Sequence, residues 1–184
     1  MIYSEKEFIV KDNLKVILKT PEVSEAKELL EFIKKITGQT DFLLSSSEDF
    51  KFDVEGEEKW IKANREGNDY FIAVYVDGKI VGDCSLNLNR HLKDKHRSSI
   101  GIGIDKEYWS KGIGSLLFDE MIKLAKNTKD LEQIELGVIS TNKRAKRLYE
   151  NKGFIKTGVI PNALKLKDGT YLDEELMTKF LYTK

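Results

Sequence analysis

The sequence has little of three things that mark particular protein classes: cysteine, an excess of charge of one sign, and long apolar runs. Its 31 Lys and Arg residues balance 31 Asp and Glu residues, giving a formal net charge of zero. A chain without a basic excess lacks the attraction that supplies most nucleic-acid affinity. No apolar run approaches the length of about 20 residues that a membrane helix needs. We therefore expect no nucleic-acid partner and no membrane association.

Cys84 is the only cysteine in the sequence, so no intrachain disulfide can form. It lies in an apolar strand pattern, which is more typical of a small buried residue than of a nucleophile. The opening residues, MIYSEKEFIV, lack the basic block followed by an apolar stretch that a signal peptide has. These observations predict a reducing, cytoplasmic location. The 184 residues are 40% hydrophobic and 34% charged, and we expect one globular domain over 1–184.

Apolar patterns predict alternating strands and helices along the chain. Alternation or short apolar runs predict strands at 14–18, 70–76, 79–88, 100–104, 133–139, 154–160, 163–166 and 171–181. Helical spacing and capping residues predict helices from about 20–24 to 38, at 57–65, from 113 onward, and from 141–142 to about 152. The order β-α-α-β-β-β-α-β-α-β-β indicates an α/β (α+β) protein with a mixed sheet covered by helices.

The stretch at 98–118, SSIGIGIDKEYWSKGIGSLLF, has a geometry that can hold an anion. A buried strand over Ile100–Ile104 leads to a loop over Trp109–Ser115 that opens a helix. The first N–H groups of a helix lack internal partners, and the helix dipole adds about half a positive charge there. Gly112 and Gly114 remove side chains that would keep a phosphate from this backbone. The alternative is an ordinary strand-to-helix turn with two glycines, and the segment alone does not decide between the two.

Two commoner phosphate motifs are absent from the sequence. No stretch supplies the G-x-x-x-x-G-K-[ST] pattern of a P-loop. The dinucleotide fingerprint needs a small residue three positions after its second glycine, where Lys106 or Leu117 stands instead. A nucleotide-like phosphate therefore fits this loop better than a Rossmann dinucleotide or a P-loop triphosphate.

Two motifs resemble the GCN5-related N-acetyltransferases, the GNAT family. The segment 108–114, YWSKGIG, looks like the family's acetyl-CoA pyrophosphate loop, and 142–154, NKRAKRLYENKGF, matches its N-x-x-A-x-x-L-Y-x-x-x-G-F pattern at every fixed position. The resemblance covers about residues 12–182. It implies the family's mixed, mostly antiparallel central sheet flanked by helices. It also implies acetyl transfer from acetyl-CoA, as co-substrate, to a primary amine, without a metal.

The resemblance further implies which residues form the site. Tyr149 would be the general acid, because a tyrosine with a pKa near 10 is protonated at pH 7 and can donate to the departing CoA thiolate. The alternative is a core tyrosine on an amphipathic helix. The implied acetyl-CoA-binding residues are Ile102, Gly103, Ile104, Lys111, Gly112, Ile113, Gly114, Ser115, Asn142, Ala145 and Arg147. The basic residues that open the second motif's helix oppose its dipole, so they indicate either a bound polyanion or a solvated face; they are Lys143, Arg144, Lys146 and Arg147.

The sequence departs from the family at two positions. Trp109 stands where the loop usually has Gln or Arg, but phosphate binding is expected to survive because the loop acts mainly through backbone N–H groups. Ser99 stands where many members carry a glutamate as general base. Three other residues are candidate bases, each with an ordinary surface or hairpin role as its alternative: Asp83, His96 and Asp173.

The missing glutamate favours an acceptor that is easy to deprotonate. Deprotonating an alkylamine of pKa near 10.4 at pH 7 costs about 4.6 kcal/mol, against about 1–1.4 kcal/mol for an α-amine. We therefore predict an α-amine of a small molecule, amino acid or peptide. The acidic segment 48–58 supports the alternative of a polyamine acetyltransferase, or else serves capping and solubility. A second alternative is a module that binds acyl-CoA or a metabolite without turnover, and a homodimer is compatible with the family.

Overall fold

Polar turns and glycine stops divide the chain into eight strands and four α-helices within residues 1–46, 48–49 and 53–182, which the computed structural model describes. The strands are β1 Lys6–Ile9, β2 Lys15–Lys19, β3 Tyr70–Val76, β4 Lys79–Leu88, β5 Arg97–Ile104, β6 Gln133–Ile139, β7 Ile155–Lys165 and β8 Tyr171–Phe180. The helices are α1 Ala26–Thr37, α2 Val54–Glu66, α3 Ile113–Lys126 and α4 Lys143–Asn151. The strands are hydrogen-bonded in the order β1-β2-β3-β4-β5-β6-β8-β7.

Residues 1–87 and 101–117 form one compact unit. Its strands β1 to β4 pair antiparallel in sequence order. The last part of β5 lies beside β4, and Asp105, directly after β5, donates its N–H to Val81 O (3.0 Å). The apolar stripe of α1 packs on this sheet because its core residues recur at helical spacing. The hydrophobic core of this unit includes Leu29, Phe32 and Ile36 of α1, Ile61 of α2, and Phe71, Ala73 and Tyr75 of β3.

Residues 88–100 and 118–184 form a second compact unit. The first part of β5 pairs with β6 in parallel over Arg97–Ser99, while β6 and β7 each pair antiparallel with β8. The buried rings of Phe118, Tyr149 and Phe154 lie within 5.1–6.2 Å of one another between centroids. The mixed, mostly antiparallel sheet with flanking helices confirms the predicted fold class, whereas the single domain over 1–184 stays a prediction.

Several element bounds agree with the sequence patterns and others differ: β5 begins three residues before the predicted 100–104, and α2 begins three residues before and ends one residue after the predicted 57–65. The bounds of β3, β4 and β6 match those predicted. The patterns do not predict β1, and they split β7 at the irregular pairing between Ile160 and Leu164. Cys84 is fully buried, as predicted. Positions 47 and 50–52 of the predicted loop at 39–55 lie outside the described residues. No helix in the part of the chain described is long and apolar enough to span a membrane.

Candidate active site

The glycine loop forms a helix start whose first backbone donors have no partner within the helix. Gly112 has a φ of +90°, a conformation that favours glycine. The first hydrogen bond of α3 runs from Leu116 N to Gly112 O (3.1 Å). The helix geometry therefore leaves the N–H groups of Ile113, Gly114 and Ser115 without acceptors in the preceding turn. This arrangement can bind an anion through the backbone, as the glycine pattern predicts.

The segment after β1 holds the loop in place. Lys11 N donates to Lys111 O (3.1 Å), and the Lys111 ammonium pairs with the Asp12 carboxylate (2.9 Å). This partner lowers the pKa of Asp12 below its ordinary value. Lys111 was predicted to bind the cofactor, and its charge is shared with Asp12 in this structure. Both side chains are exposed, so an incoming phosphate can compete with the carboxylate for the ammonium.

Trp109 ties the start of the loop to the end of β5. Its indole N–H donates to Ile104 O (2.7 Å), and the Lys106 ammonium lies 5.9 Å from the ring centroid. Nearby, the buried Asp105 pairs with Lys35 and accepts from the Gln39 amide (3.0 Å). The departure from the family pattern at Trp109 thus has a structural role in fixing where the loop begins.

Substituting Trp109 tests this positioning role. Trp109→Phe keeps an aromatic ring and removes the indole N–H, so the loop loses one hydrogen bond. One neutral hydrogen bond contributes about 0.5–1.5 kcal/mol, which predicts a loss of acetyl-CoA affinity of about 2- to 10-fold. Calorimetric titration measures the dissociation constant. Trp60→Phe, on α2, is the matched control and should leave it unchanged; an unchanged constant in Trp109→Phe would contradict the role.

Asn142 begins α4 as its N-cap. Its side-chain oxygen accepts from Ala145 N (3.2 Å), which satisfies one of the helix's unpaired donors. Further along α4, the Lys146 ammonium pairs with the buried Glu175 (2.8 Å). Lys143 and Arg147 are exposed. Capping therefore accounts for Asn142, and an internal ion pair accounts for Lys146, whereas Arg147 remains accessible to a ligand.

Tyr149 is buried, with 7% of its surface exposed. Its ring lies 5.1 Å from that of Phe118, the sixth residue of α3, which is the helix that the glycine loop opens. Burial lowers the pKa of the Arg144 guanidinium, and attraction to the ionised form of Tyr149 opposes that shift. The ring thus has a packing role, and the hydroxyl, next to a cation, can donate a proton. The two roles are compatible.

The predicted site residues fall in the two units. The first unit contains Ile102, Gly103, Ile104, Lys111, Gly112, Ile113, Gly114 and Ser115, and the second contains Asn142, Ala145, Arg147 and Tyr149. The helix α3 contributes residues to both. The binding and catalytic roles of these residues stay predictions. No group of three or more His, Cys, Asp or Glu side chains with a metal-binding arrangement occurs among the described residues.

The three candidate bases differ in their surroundings. Asp173 is exposed, and its carboxylate accepts from Asn162 N (2.8 Å). The backbone oxygen of His96 accepts from Glu132 N and Gln133 N. Asp83, half-buried on β4, has a pKa raised to about 7, chiefly by burial. Sequence alternation places Asp83 on the helix-covered face, but its altered pKa depends on neighbours that are distant in the chain.

A family model described as Acetyltransferase (GNAT) family matches residues 37–154. The curated protein AaaT of Escherichia coli strain K12, an L-amino acid N-acetyltransferase, is 29% identical over 117 residues, which are 64% of this chain and 71% of AaaT.

Two solved structures are also similar to this chain. A GNAT-family acetyltransferase from Streptococcus pneumoniae has a TM-score of 0.85 at 26% identity, covering 90% of this chain and 99% of that one. YncA of Salmonella typhimurium, solved with its cofactor acetyl-CoA, has a TM-score of 0.78 at 18% identity, covering 92% and 95%. The second likeness, below 25% identity, concerns the fold alone.

Proposed function

The chain belongs to the GNAT family of acetyl-CoA-dependent N-acetyltransferases, and from this premise we propose that its acceptor is a primary amine of a small molecule, an amino acid or a peptide N-terminus. The observation that carries the proposal is the start of α3, where Gly112 at positive φ leaves backbone N–H groups available to an anion. These donors, the absence of a side chain at Gly112 and the dipole of α3 fit a pyrophosphate.

The acetyl-CoA-binding residues divide by what each offers the ligand. The backbone N–H groups of Gly112–Ser115 bind the pyrophosphate of acetyl-CoA. The strand backbone over Ile102–Ile104 binds the remainder of the acetyl-CoA molecule. On α4, the exposed Arg147 offers a cation to a phosphate, while Asn142 keeps the helix start in shape by accepting from Ala145 N.

The reaction is attack of a neutral amine on the thioester carbonyl. The nitrogen forms a bond to the carbonyl carbon, the bond from carbon to sulfur breaks, and the thiolate takes a proton. Tyr149 supplies that proton from its hydroxyl and regains one from the nitrogen, which loses its excess proton as the amide forms. The nearby Arg144 cation stabilises the transient phenolate.

The acidic segment 48–58 has structural uses for several of its members. Asp53 caps α2 by accepting from Gly56 N (3.0 Å), Asp49 accepts from Ser46 N (2.6 Å), and Glu55 pairs with Lys59 (2.6 Å). These contacts favour a role of the acidic residues in helix capping and local ion pairing over a role in binding a polycationic acceptor. The amino-acid activity named for AaaT supports the same choice, an α-amine acceptor.

A substrate panel tests the function itself. We expect acetyl-CoA to release its thiol in the presence of amino acids or short peptides, and calorimetry to detect acetyl-CoA binding without an acceptor. Binding without thiol release for any amine in the panel would instead indicate a module that binds acyl-CoA or a metabolite. The homodimer and the cytoplasmic location stay predictions.

The choice between α-amine and polyamine is decided by comparing kcat/KM for amino acids, short peptides and spermidine at two salt concentrations. We expect a preference for the α-amines that changes little with salt, because screening weakens only interactions that depend on exposed charge. A salt-sensitive preference for spermidine, lost when Glu55 and Glu57 are both replaced by Gln, would contradict this prediction and favour the polyamine alternative.

A further inference from the structure

Two glycines of β5 lie against polar side chains of β4. A Cβ added to Gly101 would lie 3.3 Å from Ser85 Oγ, and one added to Gly103 would lie 2.6 Å from Asp83 Oδ1. The Asp83 carboxylate and Ile36 Cδ1 of α1 therefore share the space over Gly103 that a side chain would fill. Gly103 belongs to the strand segment that is proposed to bind acetyl-CoA.

We propose that Asp83 is the general base that takes a proton from the acceptor ammonium. This inference rests on the proposed function and names a residue of that same site. A group bound along the backbone of Ile102–Ile104 would lie near the half-buried Asp83 carboxylate, which accepts a hydrogen bond from Gly103 N. Ser99, at the family's usual glutamate position, has no group that can take a proton at neutral pH.

The environment of Asp83 suits proton transfer. Burial raises its pKa to about 7, while the N–H groups of Gly103 and of Asp83 itself lower it and the charge of Glu57 raises it. An α-amine has a pKa of about 7.7–8.0, so transfer to Asp83 is unfavourable by only about tenfold. Proton transfer from the same amine to an aspartate of ordinary pKa, near 3.9, would be unfavourable by about 10⁴-fold.

The elements packed around Asp83 differ in the charge that they bring to it. Ala73 on β3 and Ile36 on α1 are apolar neighbours. The charged groups of α1 on this side are engaged elsewhere, since Lys35 pairs with Asp105 and Glu28 accepts from Ile80 N. Glu57 on α2, whose own pKa burial raises, is the charged neighbour that acts on Asp83.

The proton steps balance with Tyr149 as the acid. Asp83 takes one proton from the ammonium as the N–H bond breaks, and it returns this proton to water after the reaction. The neutral amine then attacks, and its second excess proton replaces the one that Tyr149 gives to sulfur. One proton is released for each amide and CoA thiol formed.

The test is the pH dependence of kcat/KM for the best α-amine of the panel. Ionisation of Asp83 should make kcat/KM rise with pH near pH 7, and we call this rise the limb near pH 7. Asp83→Asn keeps the shape and a hydrogen-bond acceptor, so we expect kcat/KM to fall by about 10²–10⁴-fold and the limb to disappear. The limb from the amine's own ionisation should remain, and the calorimetric affinity for acetyl-CoA should be unchanged. A merely structural role for Asp83 would leave the position of the limb unmoved.

Glu57→Gln gives a second readout in a folded enzyme. Removing this negative charge lowers the pKa of Asp83, so the limb near pH 7 should move to lower pH while turnover is retained. Ser85→Ala, on the same face, is the control with no change of charge. A limb that stays in place in Glu57→Gln, or that persists in Asp83→Asn, would overturn the inference. Absence of turnover in the unmodified protein would instead overturn the proposed function.

Discussion

Gly112→Asp is expected to abolish acetyl-CoA binding, lowering affinity by more than about 100-fold. A side chain at a φ of +90° is strained, and a carboxylate there places negative charge where the pyrophosphate would lie. A bare Cβ would meet Val10 Cβ at 3.6 Å and Lys11 N at 3.7 Å, which are ordinary contacts. The loss therefore comes from strain and charge rather than from a collision.

Calorimetry measures this loss, and Gly112→Asn separates its two causes. Asn has nearly the same shape as Asp, tolerates positive φ better than most residues and carries no charge. It should bind acetyl-CoA more weakly than the natural protein and more tightly than Gly112→Asp. Circular dichroism and thermal unfolding establish that α3 is intact in each variant. Unchanged affinity in folded Gly112→Asp would remove the loop from the binding site.

Tyr149→Phe is expected to lower kcat by about 10²–10⁴-fold, the span of general acid catalysis, while KM for acetyl-CoA changes little. The substitution leaves a ring to pack against Phe118 and Phe154 and removes only the hydroxyl. The loss is then one of proton donation rather than of packing, and thermal unfolding should change little.

Steady-state kinetics at saturating acetyl-CoA measures the effect of Tyr149→Phe. The matched control is Tyr182→Phe, which removes an exposed hydroxyl that donates to Lys126 O (2.9 Å). This control should retain full kcat. If Tyr149→Phe also turns over at the full rate, then Tyr149 serves only the aromatic cluster.

Turns and helix ends could be predicted from the sequence because one or two neighbouring residues determine their backbone conformation. The hairpin turn at Asp77–Gly78 has φ values of +49° and +75°, as the residue pair predicts, and Gly153 ends α4 at a φ of +82°. The edge strand β1 was missed because its four residues are mainly exposed, so they show no buried face. A short edge strand is determined by its partner, here β2, rather than by its own pattern.

The site could be predicted in part for the same reason. The glycines of the loop and the cap at Asn142 are local signals, so motif spacing finds them. The bond from Trp109 to Ile104 also joins near neighbours, but no pattern marks it. The raised pKa of Asp83 comes from burial beneath the helices and from Glu57, 26 positions away along the chain. Such long-range surroundings appear only when the strands are assembled.

The contact between Asp83 and Gly103 also constrains how this sequence can change during evolution. Because a side chain at 103 would fill the space of the Asp83 carboxylate, the two positions cannot both be large. Ile36 Cδ1 restricts the same space from α1, so a compensating shift is limited on that side as well. Among related sequences, an acid at the position of Asp83 is therefore expected to covary with glycine at the position of Gly103. A bulky residue at the second position should accompany a small or apolar one at the first.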